Sequence, residues 1–377
     1  MRIIHTDTDD LANPLRGGQP VRTFEINSRL ANMHEAGNAQ KLTNEITVLT
    51  ASYKGSQAQV KRGNINYARL GITIPAWGLS SHLSFLARLP AALKRMPHDL
   101  VVEEFTPPFG FCNLQKHTNK PVVSMVQWFF FDDWQKRYKL PFEKIMRQRA
   151  AQFADRHLIV QTNKMGDYFK DLLPLANIHK VPCGINQEAF QESTNVGEYA
   201  LFLGRLDTQH KGLDDLLDAW ALLLNQGVHI PLWIVGAGQD ELALKAQMKR
   251  LHLDSLVTFK GRLEHAAKQE VLRNCRFLVM PSRQETFGLT ALEAMASSKP
   301  VIAYDIDHLN ELLQPAWSHQ VKLGNISALA NSVQKTWQDQ NGTIEMGKSG
   351  YKAAKGYLWD SLAKQQYQIY LEALGAV

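Results

Sequence analysis

The sequence predicts an α/β protein built from two doubly wound parallel sheets. Short runs rich in branched and aromatic residues alternate with helical patterns almost from end to end. Those runs are nearly free of polar residues, as strands covered by helices on both faces must be. A length of 377 residues, 45% of them hydrophobic, exceeds one ordinary core and asks for two. In the first half the strands are read at RIIH (2–5), ITVLTA (46–51), LVVEEF (100–105), PVVSMVQW (121–128) and HLIVQT (157–162). In the second half they are ALFLGR (200–205), PLWIVG (231–236), VTFKGR (257–262), RFLVMPS (276–282) and PVIAYD (300–305). Helical periodicity falls on residues 21–37, 213–227, 240–253 and 360–374.

The boundary between the halves is placed near VPCGINQEAF (181–190), where Pro182 and Gly184 punctuate the chain after a short strand. Cys112, Cys183 and Cys275 are far apart, without disulfide pattern or metal-ligand spacing, which points to a reducing, cytoplasmic setting. Three acids among the first ten residues, and no apolar run near the ~18–20 residues of a membrane span, argue against secretion and membrane spanning. The net charge of +6 is confined to the first half: residues 1–185 hold 24 Lys and Arg against 15 Asp and Glu, and the remainder 18 against 21. Such an asymmetry suits a surface that meets an anionic partner.

Open parallel sheets bind ligands beyond the carboxyl ends of their strands, where strand order reverses, so chemistry is sought there. In PSRQETFGLTALEAMASSKPVIAYD (281–305) a strand gives way to a polar loop holding Glu285, and a helix starts near Leu289. The amides of Phe287, Gly288 and Leu289 at that helix start form an anion site, bracketed by the carboxylates of Glu285 and Glu293. In ALFLGRLDTQHKGLDDLLDAW (200–220) the strand ends at Gly204, and Arg205 and Lys211 occupy the loop before a helix, two cations suited to phosphate oxygens. Gly17 and Gly18 follow the first strand and allow close backbone approach to a ligand, although a plain turn also explains them.

These residues, in this order, resemble the family 4 glycosyltransferases of the GT-B fold, in which two Rossmann-like domains face a central cleft. The resemblance covers nearly the whole chain and is strongest over residues 181–313. It implies an acceptor-binding domain of residues 1–183 plus 358–377 and a donor-binding domain of residues 184–357. By the resemblance, Arg205 and Lys211 bind the donor's diphosphate, Glu285 the hydroxyls of the transferred sugar and Glu293 the ribose. Phe287, Gly288 and Leu289 complete the sugar and phosphate site; Gly261, Arg262 and Leu263 lie along the nucleobase. Gly17, Gly18 and Gly204 bring backbone close to the donor. The implied reaction moves a hexose from a nucleotide sugar, UDP favoured over GDP, to a hydroxyl of a saccharide or lipid-linked acceptor, with retention at the anomeric carbon. It implies cell-envelope or polysaccharide biosynthesis, with no metal and no cofactor beyond the nucleotide sugar as co-substrate. One departure stands out: many relatives place a histidine where Gln127 stands, and an amide cannot serve as a base. His117, Glu103, Glu104, Asp132 and Asp133 are the alternatives for that role.

The acceptor half carries residues 83–96 and 132–153, in which Trp134, Tyr138, Phe142 and Phe153 are interleaved with lysines and arginines. That pattern suits peripheral attachment to an anionic inner membrane face. Other classes are weighed against this. A dinucleotide-dependent oxidoreductase would use Gly236 and Gly238, but Glu241 stands where the third glycine belongs. A sugar-binding protein without catalysis shares the fold, and a nucleic-acid binder would need a reading motif that the basic half lacks.

Overall fold

The ten apolar runs all become strands. The computed structural model describes residues 1–13, 18–33, 44–74, 80–105, 113–127, 139 and 141–376. The chain divides into two compact units, Met1–Cys183 with Trp359–Val377, and Gly184–Leu358. The first unit runs β1 (Arg2–Thr6), α1 (Gln19–Asn32), β2 (Glu45–Ala51), β3 (Gln59–Arg62), β4 (Ile65–Leu70), α2 (Ser80–Arg95), β5 (Leu100–Glu104), β6 (Val122–Met125), α3 (Phe142–Gln148), β7 (His157–Val160), α4 (Asn163–Leu172) and β8 (Asn177–Lys180). The second runs β9 (Ala200–Leu203), α5 (Thr208–Lys211), α6 (Leu213–Asn225), β10 (Leu232–Val235), α7 (Glu241–Arg250), β11 (Val257–Gly261), α8 (His265–Asn274), β12 (Phe277–Met280), α9 (Leu289–Ala296), β13 (Val301–Asp305), β14 (Ser318–Lys322), α10 (Ile326–Gln338) and α11 (Gln340–Ala354). The chain then returns to the first unit as α12 (Trp359–Ala373).

The first sheet has the order β3-β4-β2-β1-β5-β6-β7-β8 and the second β11-β10-β9-β12-β13-β14. Every pairing in the second sheet is parallel, and in the first only β3 runs antiparallel, against β4. That hairpin corrects the all-parallel expectation. Its cause is a turn at Gly63 (φ +56°) and a buried acid: Asp10 accepts from Arg62 Nη1 at 2.9 Å and Arg69 Nε at 2.8 Å, one arginine from each strand. In both sheets the order reverses once along the chain, between β1 and β5 and between β9 and β12. Each reversal opens a crevice beyond the strand ends.

The second core gathers around Trp220, fully buried on α6 with its indole Nε1 donating to Ile230 O at 2.8 Å. In the first unit, Arg22 on α1 is buried and donates through Nη2 to Gln366 Oε1 at 2.9 Å and Val181 O at 3.1 Å. The bond to Gln366 pins α12 to α1, while the buried Arg22 Nε has no hydrogen-bond partner among the described residues.

His5 lies in the buried strand β1, its Nδ1 accepting from Asn27 Nδ2 at 2.9 Å. Burial drives its pKa down to about 4, against the Asn27 hydrogen bond and assisted by the charge of Arg22. The unfolded chain, with an imidazole near 6.5, takes up a proton first. His5 therefore contributes nothing adverse above pH 6.5, and stability drains away as pH falls from there towards 4. As pH falls from 6.5 to 5, the unfolding free energy of the wild type measured with urea should drop by about 2 kcal/mol more than that of His5→Asn, which has no proton to take up. Parallel pH curves for the two proteins would refute this.

Candidate active site

In the second unit the strand order turns between β9 and β12, so the loops leaving those strands, residues 204–212 and 281–288, meet at the crevice. The strand ends approach closely because glycine lines them. A Cβ on Gly236 (φ +150°) would stand 1.8 Å from Gly204 O, and one on Gly238 would stand 2.2 Å from Leu206 O. These two glycines, the partial dinucleotide fingerprint, are thus used in packing the end of β10 against the end of β9.

The first loop is set by its own side chains. Asp207 caps the single turn α5, accepting from His210 N at 3.2 Å and contacting His210 Nδ1 at 2.8 Å. Burial pushes the Asp207 carboxyl up, but bonding to His210 and the charges of His210 and Arg205 outweigh it and hold its pKa below the usual range. Lys211, expected in open loop, is the last residue of α5, and Gly212 (φ +62°) both ends that turn and begins α6. A Cβ on Gly212 would fall 2.1 Å from Pro281 O, so the two loops touch there.

Arg283 staples them further. Its guanidinium donates to Thr208 O, Asp214 and Asp215, each at 2.8 Å, while its amide donates to His210 O at 2.8 Å. The result is a fixed pairing: Lys211 Nζ donates to Glu285 Oε1, which also accepts from Ser282 Oγ at 2.9 Å. Arg205 remains 58% exposed at the side chain, with Asp207 Oδ2 3.1 Å from its Nη2, and so presents its fork to solvent.

Beyond Glu285, Phe287 is buried and Gly288 (φ +90°) forms the N-terminal boundary of α9, so the amides of Gly288 and Leu289 stand in its first turn. One turn further on, Glu293 accepts from Lys268 Nζ on α8 at 2.7 Å. Lys268 and Arg283 had no signal in the sequence: each acts across strand–helix units, where no local spacing reports it. Gly261 (φ +69°) ends β11, and its carbonyl accepts from Gly236 N at 2.9 Å. The next residue, Arg262, turns outward to Glu264, with Leu263 half-buried beside it. This group stands at the far edge strand, with β10 between it and β9.

In the first unit Gly18 opens α1 with an unexceptional φ of −78°, so its own backbone does not require glycine; Gly17 lies outside the described residues. Gln127 Nε2 donates to Thr23 Oγ1 at 3.4 Å, and Thr23 donates to Asp7 Oδ2 at 2.6 Å. Asp7, at the end of β1, is buried and was not singled out by sequence. Of the weighed alternatives, Glu103 pairs with Arg156 at 2.9 Å, and burial nevertheless lifts its pKa to about 7; Glu104 accepts from Thr8 N at 3.0 Å. His117 ends a short turn at Leu114–His117, and Asp132 and Asp133 lie outside the described residues. Of the aromatic residues in the basic segments, Phe153 is a core residue, Trp134 and Tyr138 lie outside the described residues, and the Phe142 side chain does too.

Two α/β units of this topology define the GT-B class. Sucrose-phosphate synthase from Thermosynechococcus elongatus aligns over 100% of both chains, with a TM-score of 0.83 and 20% identity. The Anabaena protein HepE, solved with UDP and glucose, aligns over 99% of this chain and 100% of its own, with a TM-score of 0.74 and 16% identity. Family models agree: Glycosyltransferase Family 4 matches residues 32–189, and Glycosyl transferases group 1 matches residues 197–339. The chain belongs to the family 4 glycosyltransferases. A phosphatidyl-myo-inositol mannosyltransferase of Mycobacterium leprae is 29% identical over 199 residues, covering 51% of this chain and 52% of that one. The chain spans about half the length of the curated relatives it matches.

Proposed function

We propose that the protein is a retaining, metal-independent glycosyltransferase. It moves a hexose from a nucleotide sugar, UDP in preference to GDP, to a hydroxyl of a saccharide or lipid-linked acceptor in cell-envelope or polysaccharide synthesis. The observation that carries this reading is the convergence of Arg205, Lys211, Glu285 and the first turn of α9 at the strand-order reversal of the second sheet. In the donor complex Arg205 and Lys211, with the amides of Phe287 to Leu289, hold the diphosphate as charge moves onto it. Glu285 accepts from the sugar hydroxyls and Glu293 from the ribose, while Gly261 to Leu263 line the base. Gly17, Gly18 and Gly204 let backbone approach the donor. The acceptor hydroxyl attacks from the face the diphosphate leaves, and a departing phosphate oxygen takes its proton. No protein nucleophile is required.

The comparisons support this choice through what they name. HepE was solved with UDP and glucose, and the mycobacterial relatives are named for mannosyl transfer to phosphatidyl-myo-inositol. Both sugars are hexoses, and one acceptor is a lipid. The basic first half adds attachment to an anionic, cytoplasm-facing membrane surface: α2 exposes Leu83 and ends in Lys94 and Arg95, and among the described residues no helix is long and apolar enough to cross a membrane.

A thermal-shift panel tests the donor. UDP at a hundredfold excess over its Kd should add about 2.7 kcal/mol of stability, with GDP weaker and NAD and single-stranded DNA inert. Stabilisation by NAD without response to any nucleoside diphosphate would sink the reading. Retention on anionic liposomes at low salt, lost at high salt, tests the membrane face.

A further inference from the structure

We propose that His157, His179 and Glu372 form a binding site for a divalent transition-metal ion, with Zn2+ the best fit, that clasps the C-terminal helix onto the edge of the first sheet. The three side chains come from β7, β8 and α12, all in the first unit, and share no residue with the donor site. Their ligand atoms lie within 4.8 Å of one another.

Register explains the convergence. In the parallel pair β7·β8, His157 stands opposite Asn177 and Ile159 opposite His179, so the two histidines are diagonal neighbours on one face. Their rings are near parallel (7°) with centroids 5.0 Å apart, and His157 Nδ1 is 3.0 Å from His179 Nε2. Over them runs α12, tied down where Gln365 Nε2 donates to Lys180 O at 2.9 Å. Glu372 lies seven residues on, about two turns along the same helix face, which brings its carboxylate above the imidazoles.

The donor set selects the ion. Two imidazoles and one carboxylate match borderline cations, whereas Mg2+ and Ca2+ prefer all-oxygen shells. Zn2+ takes imidazole nitrogen at about 2.0–2.1 Å in tetrahedral geometry, which sets the two nitrogens roughly 3.3 Å apart. Moving from 3.0 Å to that spacing takes a few tenths of an ångström, within reach of half-buried side chains. Water fills the fourth position.

Calorimetric titration of ZnCl2 into metal-stripped full-length protein is expected to show one ion per chain. His157→Gln and His179→Gln should each weaken that binding about tenfold or more, and Glu372→Gln severalfold, with Mg2+ failing to compete. Zn2+ should also raise the Tm of the wild type and leave that of the double histidine variant unmoved. Since the chain holds 13 histidines, the variants locate the site. Absence of stoichiometric binding to the wild type, or undiminished binding by the variants, overturns the proposal. If the double variant fails to fold, Glu372→Gln, at an exposed helix position, carries the same comparison.

Discussion

Lys211→Ala is expected to lower kcat for sugar transfer by about 10²–10³-fold, the usual cost of removing one fixed donor from a developing oxyanion. The prediction rests on placement. Lys211 ends α5, Gly212 and Arg283 fix that turn against the β12 loop, and its ammonium is held beside Glu285 before any donor arrives. A charge held there needs no reorganisation when the diphosphate departs, so its loss falls on kcat more than on KM. Arginine is not an equivalent replacement: it keeps the charge and can still meet a carboxylate, but its larger planar fork does not reproduce the compact, mobile ammonium at that position. Lys268→Ala supplies the contrast. It frees Glu293 but leaves Arg205 and Lys211 in place, so it should raise the donor KM with a smaller change in kcat. Full turnover by Lys211→Ala, measured with radiolabelled sugar nucleotide in a protein of wild-type Tm, would remove Lys211 from the mechanism.

Much of this was legible in the chain. Buried parallel strands are almost purely apolar, and the ten runs read as strands appear as such because covering helices leave no face for polar residues. The strands that escaped lie at a sheet edge or next to one. β3 and β4 (QVKR and INYARL) carry Lys61 exposed, Arg62 half-buried and Arg69 buried against Asp10, charges that mask the strand pattern, and their turn is a Gly-Asn pair whose hairpin meaning is hidden without an apolar run on each side. β14, SHQVK, has one solvated side and a single aliphatic residue. The candidate site divides in the same way. Arg205, Lys211 and Glu285 sit near glycines at strand and helix ends, and Glu293 follows one turn inside the helix that Gly288 opens, so all four are visible locally. Lys268, Arg283 and Asp7 are placed by tertiary contacts between units of chain that local spacing does not connect.

Gly212→Ala should damage fold and activity together. At φ +62° an alanine is strained by about 1–2 kcal/mol, and its Cβ would meet Pro281 O at 2.1 Å, a backbone atom that no rotamer change can clear. Relief requires the β9 and β12 loops to separate, so total destabilisation of about 3 kcal/mol or more is expected from chemical unfolding. The loops that part are those carrying Lys211 and Glu285, and a displacement near 1 Å at such groups costs about 100-fold in rate. Gly227→Ala is the control: φ is +74° there, no atom lies within 4 Å of the added Cβ, and the position ends α6 away from either loop. It should show the backbone strain alone, with kcat unchanged. If Gly212→Ala were no less stable and no slower than Gly227→Ala, the contact between the two loops would not be what sets the Lys211–Glu285 pairing.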